Sequence, residues 1–159
     1  MVNLNDFDWG SSSNWFKKTI QEEIFEKKTY EKFFQVEEGD LVVDVGASIG
    51  PFTFSILNNK PKRVYCLEPS LEEFPTLRKN TKGYKVSCIN KGISEVNGLV
   101  KFNDVYGIKN SSTVAESITF KDFIDEYNLT KIDFLKVDCE GGEYSIFNKS
   151  NIWWIKNNV

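Results

Sequence analysis

The chain has no histidine in its 159 residues. That removes the most frequent general base and the most frequent metal ligand. Any proton acceptor must then be a carboxylate, a lysine, a tyrosine or a water. Cysteine is scarce too: Cys66, Cys88 and Cys139 form an odd set without a C-x-x-C pair. A zinc knuckle and a disulfide framework are both excluded on that spacing, and buried reduced thiols are expected. There is no long apolar run and no charged start followed by an apolar middle. The chain is therefore expected to be soluble and cytoplasmic, away from the membrane. A basic excess is missing as well, with a net charge of -3 and a pI near 5.2. That balance argues against nucleic acid as a partner. Repeats, low-complexity tracts and linkers are absent, and the length suggests one globular unit.

What is present is a hydrophobic fraction of 40%, enough for a core, arranged in alternating strand and helix signals. Ser12 or Ser13 can cap a helix running to about Phe34, with Phe16, Ile20 and Ile24 on one face, joined later by Phe33 and Phe34. Residues 1–35 are read as an N-terminal helical segment and 36–159 as a cofactor-binding domain. LVVDVG (41–46) is a buried strand, and Pro51 suits the first turn of the helix after it. RVYCLEP (63–69) is a second strand. Ser70 to Glu73 matches a capping box, and Pro75 kinks or delays the helix that follows. A third strand spans 85–89, and a short extra one spans 98–102 after an Asn97-Gly98 turn. Phe120, Phe123, Ile124 and Tyr127 carry an amphipathic helix pattern. Residues 132–137 form the fourth main strand. The alternation predicts an α/β domain: a Rossmann-like, doubly wound, mostly parallel sheet covered on both faces.

In such sheets ligands bind beyond the carboxyl ends of the strands. All four ends are unusual here: DVGASIG (44–50), Glu68-Pro69, Asn90-Lys91-Gly92-Ile93, and the acidic run KVDCEGGEY (136–144). Gly46 allows a tight turn and close approach, Gly50 gives room at the helix start, and the helix N-terminus favours anions. Asp44, Gly46, Ala47, Ser48 and Gly50 are thus candidate cofactor-binding residues. Glu68 can accept from both hydroxyls of a ribose, with Pro69 beside it. Asn90, Gly92 and Ile93 are expected to flank an adenine, with Ile93 or Leu67 against its face. Nicotinamide enzymes use G-x-G-x-x-G, and the third glycine is missing. The observed D-x-G-x-x-x-G favours S-adenosyl-L-methionine instead, and an NAD(P)-dependent oxidoreductase is the disfavoured alternative.

Taken in order, VDVGASIGPFTFSIL, VYCLEPS, NKGIS, TFKDFIDEY and IDFLKVDCEGGEYSIF resemble the FkbM-type methyltransferases, over roughly Val36 to Phe147. The most specific piece is K-x-D-x-E-G-x-E, matched by Lys136, Asp138, Glu140, Gly141 and Glu143. Ser48 and Pro51 depart from the family, which often has Asn and a bulky residue there. The resemblance implies a class I methyltransferase fold whose late strands are missing, and methyl transfer to oxygen. The expected acceptor is a small hydroxylated molecule such as a sugar or secondary metabolite. A truncated or degenerate cofactor-binding module without turnover is the other reading.

Residues two apart on a strand share a face, so Lys136, Asp138 and Glu140 should point one way. Asp138 or Glu140 is the candidate catalytic base or acceptor-orienting group. Glu143 suits the first turn of the next helix, and Lys136 is a partner for these acids rather than a catalyst. No metal is expected; a hard cation on Asp138, Glu140 and Glu143 is the lesser reading. Trp15, Phe16 and Tyr30 are read as core before lid. An uncovered sheet edge near the fourth strand predicts self-association.

Overall fold

A computed structural model describes residues 2–102, 113–139 and 141–159. The chain enters through α1 (Asn14–Ile20), whose first turn is capped by Ser13: its Oγ accepts from the Phe16 N–H at 3.1 Å. The helix widens into a π-helical stretch over Gln21–Glu26 and ends at Lys28, whose φ is 47°. It therefore stops short of Phe34. Ile20 and Ile24 pack inward, whereas Phe33 and Phe34 are exposed by 90% and 78%.

Next come β1 (Leu41–Val45), α2 (Pro51–Ile56), β2 (Arg63–Leu67), α3 (Phe74–Asn80) and β3 (Val86–Ile89). Pro51 and Pro75 each sit in the opening turn of a helix, where a missing N–H costs nothing. Pro75 thus delays α3: Ser70 Oγ accepts from the Glu73 N–H at 3.2 Å, and the helix begins at Phe74. Then follow β4 (Gly92–Ile93), β5 (Gly98–Phe102), β6 (Thr113–Ile118), α4 (Phe120–Glu126), β7 (Phe134–Val137), α5 (Glu143–Ile146) and α6 (Ile152–Asn158).

The main sheet has the order β3-β2-β1-β7, and all its pairings are parallel. A smaller sheet, β4-β6-β5, lies beside it. The Asn97-Gly98 turn opens β5, which pairs antiparallel with β6, a strand the composition of 113–118 does not announce. Val43, Val45, Leu67 and Ile89 point to one face of the main sheet and meet Phe120, Phe123 and Ile124 of α4, Ile146 of α5 and Trp154 of α6. Val42, Val64 and Cys66 point to the other, against Ile24 of the π-helical stretch, Phe52 and Ile56 of α2, and Leu77 of α3. Burying a side chain such as Phe52 contributes about 1.5–3 kcal/mol. Both faces are covered, as a parallel sheet requires. Among the described residues no helix is long and apolar enough to cross a membrane.

Strand order then selects the site. From β1 the chain builds outward through β2 and β3, then returns to place β7 on the other side of β1. The order reverses between β1 and β7, and the crevice outside their carboxyl ends is where such sheets hold ligands.

Candidate functional site

At that reversal the two strand ends touch through their backbones. Gly46 has φ 75°, and a Cβ added there would lie 1.9 Å from the carbonyl oxygen of Asp138. Only glycine permits this approach, so the turn after β1 is seated on the end of β7. Ser48 follows at φ 51°, and Gly50 at φ 88° sits against Leu77.

From this point contacts run along the edge. The Ser48 N–H donates to Glu68 Oε2 at 2.7 Å, and the Ser70 N–H donates to Oε1 at 2.7 Å. Asn90 Nδ2 donates to the Glu68 carbonyl at 2.8 Å. Asp138, Gly46, Ser48, Glu68 and Asn90 thus form one continuous polar edge, with Pro69 half-buried beside it. Burial pushes the Glu68 carboxyl up to about 7, assisted by the Glu73 charge and opposed by the Ser70 and Ser48 N–H groups.

Four expected cofactor-binding residues, Asp44, Ala47, Gly92 and Ile93, are placed differently. Asp44 is fully buried: Thr53 Oγ1 donates to its Oδ2 at 2.8 Å, and Lys136 Nζ lies 2.9 Å from its Oδ1. The ammonium also donates to the Gly46 carbonyl at 2.7 Å, and Oδ1 is met by it as an ion pair rather than by a well-directed hydrogen bond. Asp44 therefore anchors the loop from within through Lys136, rather than facing a ligand. Lys136 does partner an acid, but a different one from those in its own run. Ile93 is 2% exposed and belongs to the core with Leu67, so neither offers a face to an aromatic base. Ala47 is sealed against the α2 side, leaving only its backbone at the edge, and Gly92 is buried as the first residue of β4.

Asp138 is exposed at the tip of β7, on the same face as Lys136. The Tyr30 hydroxyl donates to its Oδ2. Tyr30 stands edge-on to Phe52 at 5.5 Å, with Lys136 Nζ 5.4 Å from its ring centroid. Burial and the Asp138 carboxylate both raise the Tyr30 pKa, which keeps the phenol a donor. Tyr30 thus touches the candidate site, a placement its sequence pattern alone does not distinguish from core. Glu140 lies outside the described residues. Glu143 opens α5 and folds back, accepting from the Cys139 N–H at 2.9 Å and the Gly141 N–H at 2.7 Å. Partial burial pushes its carboxyl up, but those N–H groups win and hold it below the usual range.

The edge suits an adenosyl ligand on chemical grounds. Glu68 oxygens each keep a lone pair for a ribose hydroxyl, the 46–48 turn brings bare backbone close, and an exposed carboxylate stands where a cationic centre would lie. Two cavities, of about 410 and 520 Å³, lie elsewhere: one beside Cys88 and Arg78, one beside Trp154 and Phe120.

Several solved structures are similar to this chain in part. The precorrin 8w decarboxylase of Methanobacterium thermoautotrophicum shares 17% identity at a TM-score of 0.50, over 100% of this chain and 67% of that one. A Leishmania major S-adenosylmethionine-dependent methyltransferase shares 18% identity at 0.40, over 55% of this chain and 35% of its own. A Haloferax volcanii complex of the Trm112 methyltransferase activator with a proposed methyltransferase shares 24% at 0.40. It is covered over 39% of its length, against 56% of this chain. No curated protein matches. The Methyltransferase FkbM domain matches residues 44–157, from the buried acid of β1 through α6. The chain belongs to the FkbM methyltransferase domain family.

Proposed function

We propose that this chain binds S-adenosyl-L-methionine along the polar edge and directs methyl transfer to a hydroxyl oxygen of a small acceptor, such as a sugar or secondary metabolite. The observation that carries the reading is the seating of the Gly46 turn on the Asp138 carbonyl at the strand-order reversal. Glu68 would hold the ribose hydroxyls, the 46–48 backbone the amino-acid end, and Asn90 the base. Bound there, the cofactor supplies an electrophilic methyl group on a sulfonium.

The protein's own share is positioning and proton management. Asp138 accepts the acceptor's hydroxyl hydrogen, orients its oxygen and can take the proton as the bond forms. Tyr30 occupies Oδ2 and thereby fixes the carboxylate plane, leaving Oδ1 for the acceptor. No histidine competes for the role. Glu140 is the second candidate for it.

Calorimetry with S-adenosylhomocysteine tests the cofactor, and NAD is the control ligand. Binding of NAD alone would defeat the reading. Labelled methyl transfer to a panel of sugars and phenols then tests the reaction. Asp138→Asn is expected to keep S-adenosylhomocysteine affinity within a few-fold while turnover falls about a hundredfold or more. Unchanged turnover in Asp138→Asn would move the role to Glu140. S-Adenosylhomocysteine binding with no transfer across the panel would favour a binding module.

A further inference from the structure

Strands β2 and β3 place Cys66 directly opposite Cys88 in register. Neighbouring strands lie about 4.8 Å apart. That falls inside the Cα separation of about 4.4–6.8 Å that a disulfide spans. Both side chains are on the α2–α3 face, near enough that each thiol shifts the other's proton affinity. Cys66 is fully buried, with its Sγ 3.1 Å from Thr53 Oγ1. Cys88 is half-buried, with its Sγ 3.3 Å from Thr81 Oγ1. It lines the cavity of about 410 Å³ together with Arg78 and Lys82. One sulfur is therefore reachable from a basic cavity, and the second stands behind it.

The proton inventory matches that division. The neighbouring Cys66 thiol pulls the Cys88 thiol down to about 7, Thr81 and Arg78 assist, and burial and Asp44 oppose. Burial drives Cys66 well above the usual thiol range. Cys139 is pushed up to about 12, by burial and then by Glu143. Cys88 is therefore the more readily ionised thiol of the pair, and Cys66 the less.

We propose that Cys88 is a modification site for small hydroperoxides, with Cys66 as its resolving thiol, so that the pair closes to a disulfide between β2 and β3. The Cys88 thiolate attacks one oxygen of the hydroperoxide. The S–O bond forms as the O–O bond breaks, and the departing oxyanion takes up a proton beside Arg78 and Lys82. Cys88 is oxidised by two electrons to a sulfenic acid, and the peroxide is reduced to an alcohol or water. The Cys66 sulfur then attacks the Cys88 sulfur; the S–S bond forms, the S–O bond breaks, and hydroxide leaves with the Cys66 proton as water.

The disulfide has a route to the candidate site. Cys66 contacts Thr53, Thr53 donates to Asp44, Asp44 pairs with Lys136, and Lys136 donates to the Gly46 carbonyl. Closing the pair withdraws the Cys66 thiol from the first of those contacts.

The test uses the whole chain and hydrogen peroxide, followed by alkylation and non-reducing tryptic digestion. Peptides 64–78 and 86–91 are expected to appear joined, lighter by two hydrogens than their sum, and to separate with dithiothreitol. Before oxidation, iodoacetamide is expected to label Cys88 at least about tenfold faster than Cys139 at neutral pH. In Cys66→Ser, dimedone should trap Cys88 as the sulfenic acid. Linkage through Cys139, or a Cys88 that stays unoxidised while Cys139 reacts, overturns the proposal. The wild-type digest decides even if a variant fails to fold. None of these readouts depends on cofactor binding, so the proposed methyltransferase function can fail without affecting this result.

Discussion

Two glycines in one loop differ sharply in what would replace them. A Cβ at Gly46 meets the Asp138 carbonyl at 1.9 Å, and backbone cannot swing aside. At Gly50 it meets Leu77 Cδ1 at 2.8 Å, the far end of a side chain with rotamers to spare. Both sit at positive φ, which by itself costs about 1–3 kcal/mol for an L side chain. Gly46→Ala is therefore expected to lower stability by clearly more than Gly50→Ala, measured as urea midpoints. Equal losses would mean that the loop and β7 are not in backbone contact. Glu68 allows a second residue-level prediction. Its folded pKa of about 7 exceeds the unfolded 4.5, because burial penalises the charge. Between those values the folded state holds a proton that the unfolded state has released. Its contribution is complete below pH 4.5 and is lost as pH rises to about 7, up to about 3 kcal/mol in all. Against Glu68→Gln, which does not titrate, the wild-type urea midpoint should fall across that window. Parallel curves would show that Glu68 is solvated in the folded state.

Elements show where sequence pattern is informative and where it stops. Strand ends with glycine and acid clusters were legible, since each needs a residue type that the middle of a strand avoids. The end of the N-terminal helix was not: Phe33 and Phe34 fit the helical spacing, yet the chain turns at Lys28 through a conformation no side chain advertises. β6 is faint in the sequence because its inward residues, Ala115 and Ser117, are small and one is polar, so alternation is weak. Ser117 satisfies itself on the Val96 and Gly98 carbonyls, a fact visible only after β5 is in place. The Asn97-Gly98 turn does more than reverse the chain. Asn97 Oδ1 accepts from the Thr119 N–H at 2.8 Å and its Nδ2 donates to Asp122 at 2.7 Å. Thr119 also caps α4, accepting from the Asp122 N–H at 3.1 Å. Thr119→Ala should thus cost about 1 kcal/mol from the cap alone. Because the same residues tie the small sheet to α4, amide exchange should rise in β5 and β6 as well as in the first turn of α4. Faster exchange confined to α4 would show that the turn and the helix are uncoupled.

At the scale of the whole molecule, the face pairing of Asp44 with Lys136 and of Asp138 with Tyr30 required the strand order, which pattern alone leaves open. That same order makes β7 an edge strand among the described residues. An edge of a parallel sheet carries unpaired N–H and C=O groups along its outer side, ready to pair with another chain. Protective features are weak here. The outer run, Phe134–Val137, contains one charged residue, Lys136, which is buried on Asp44 and cannot guard the edge. Exposed apolar side chains follow in the next two helices, Tyr144 at 82% and Trp153 at 71%. A net charge of -3 supplies little general repulsion. The expected outcome is reversible self-association, seen as a sedimentation coefficient that rises with protein concentration. Backbone pairing and apolar contact are insensitive to screening, so the association should persist in about 0.5 M salt, where the Debye length falls below about 5 Å. Replacing Tyr144 and Trp153 by lysine should shift the boundary toward the monomer without lowering the urea midpoint, since neither side chain is buried. A single monomeric boundary at every concentration would show that the β7 edge is closed to a second copy.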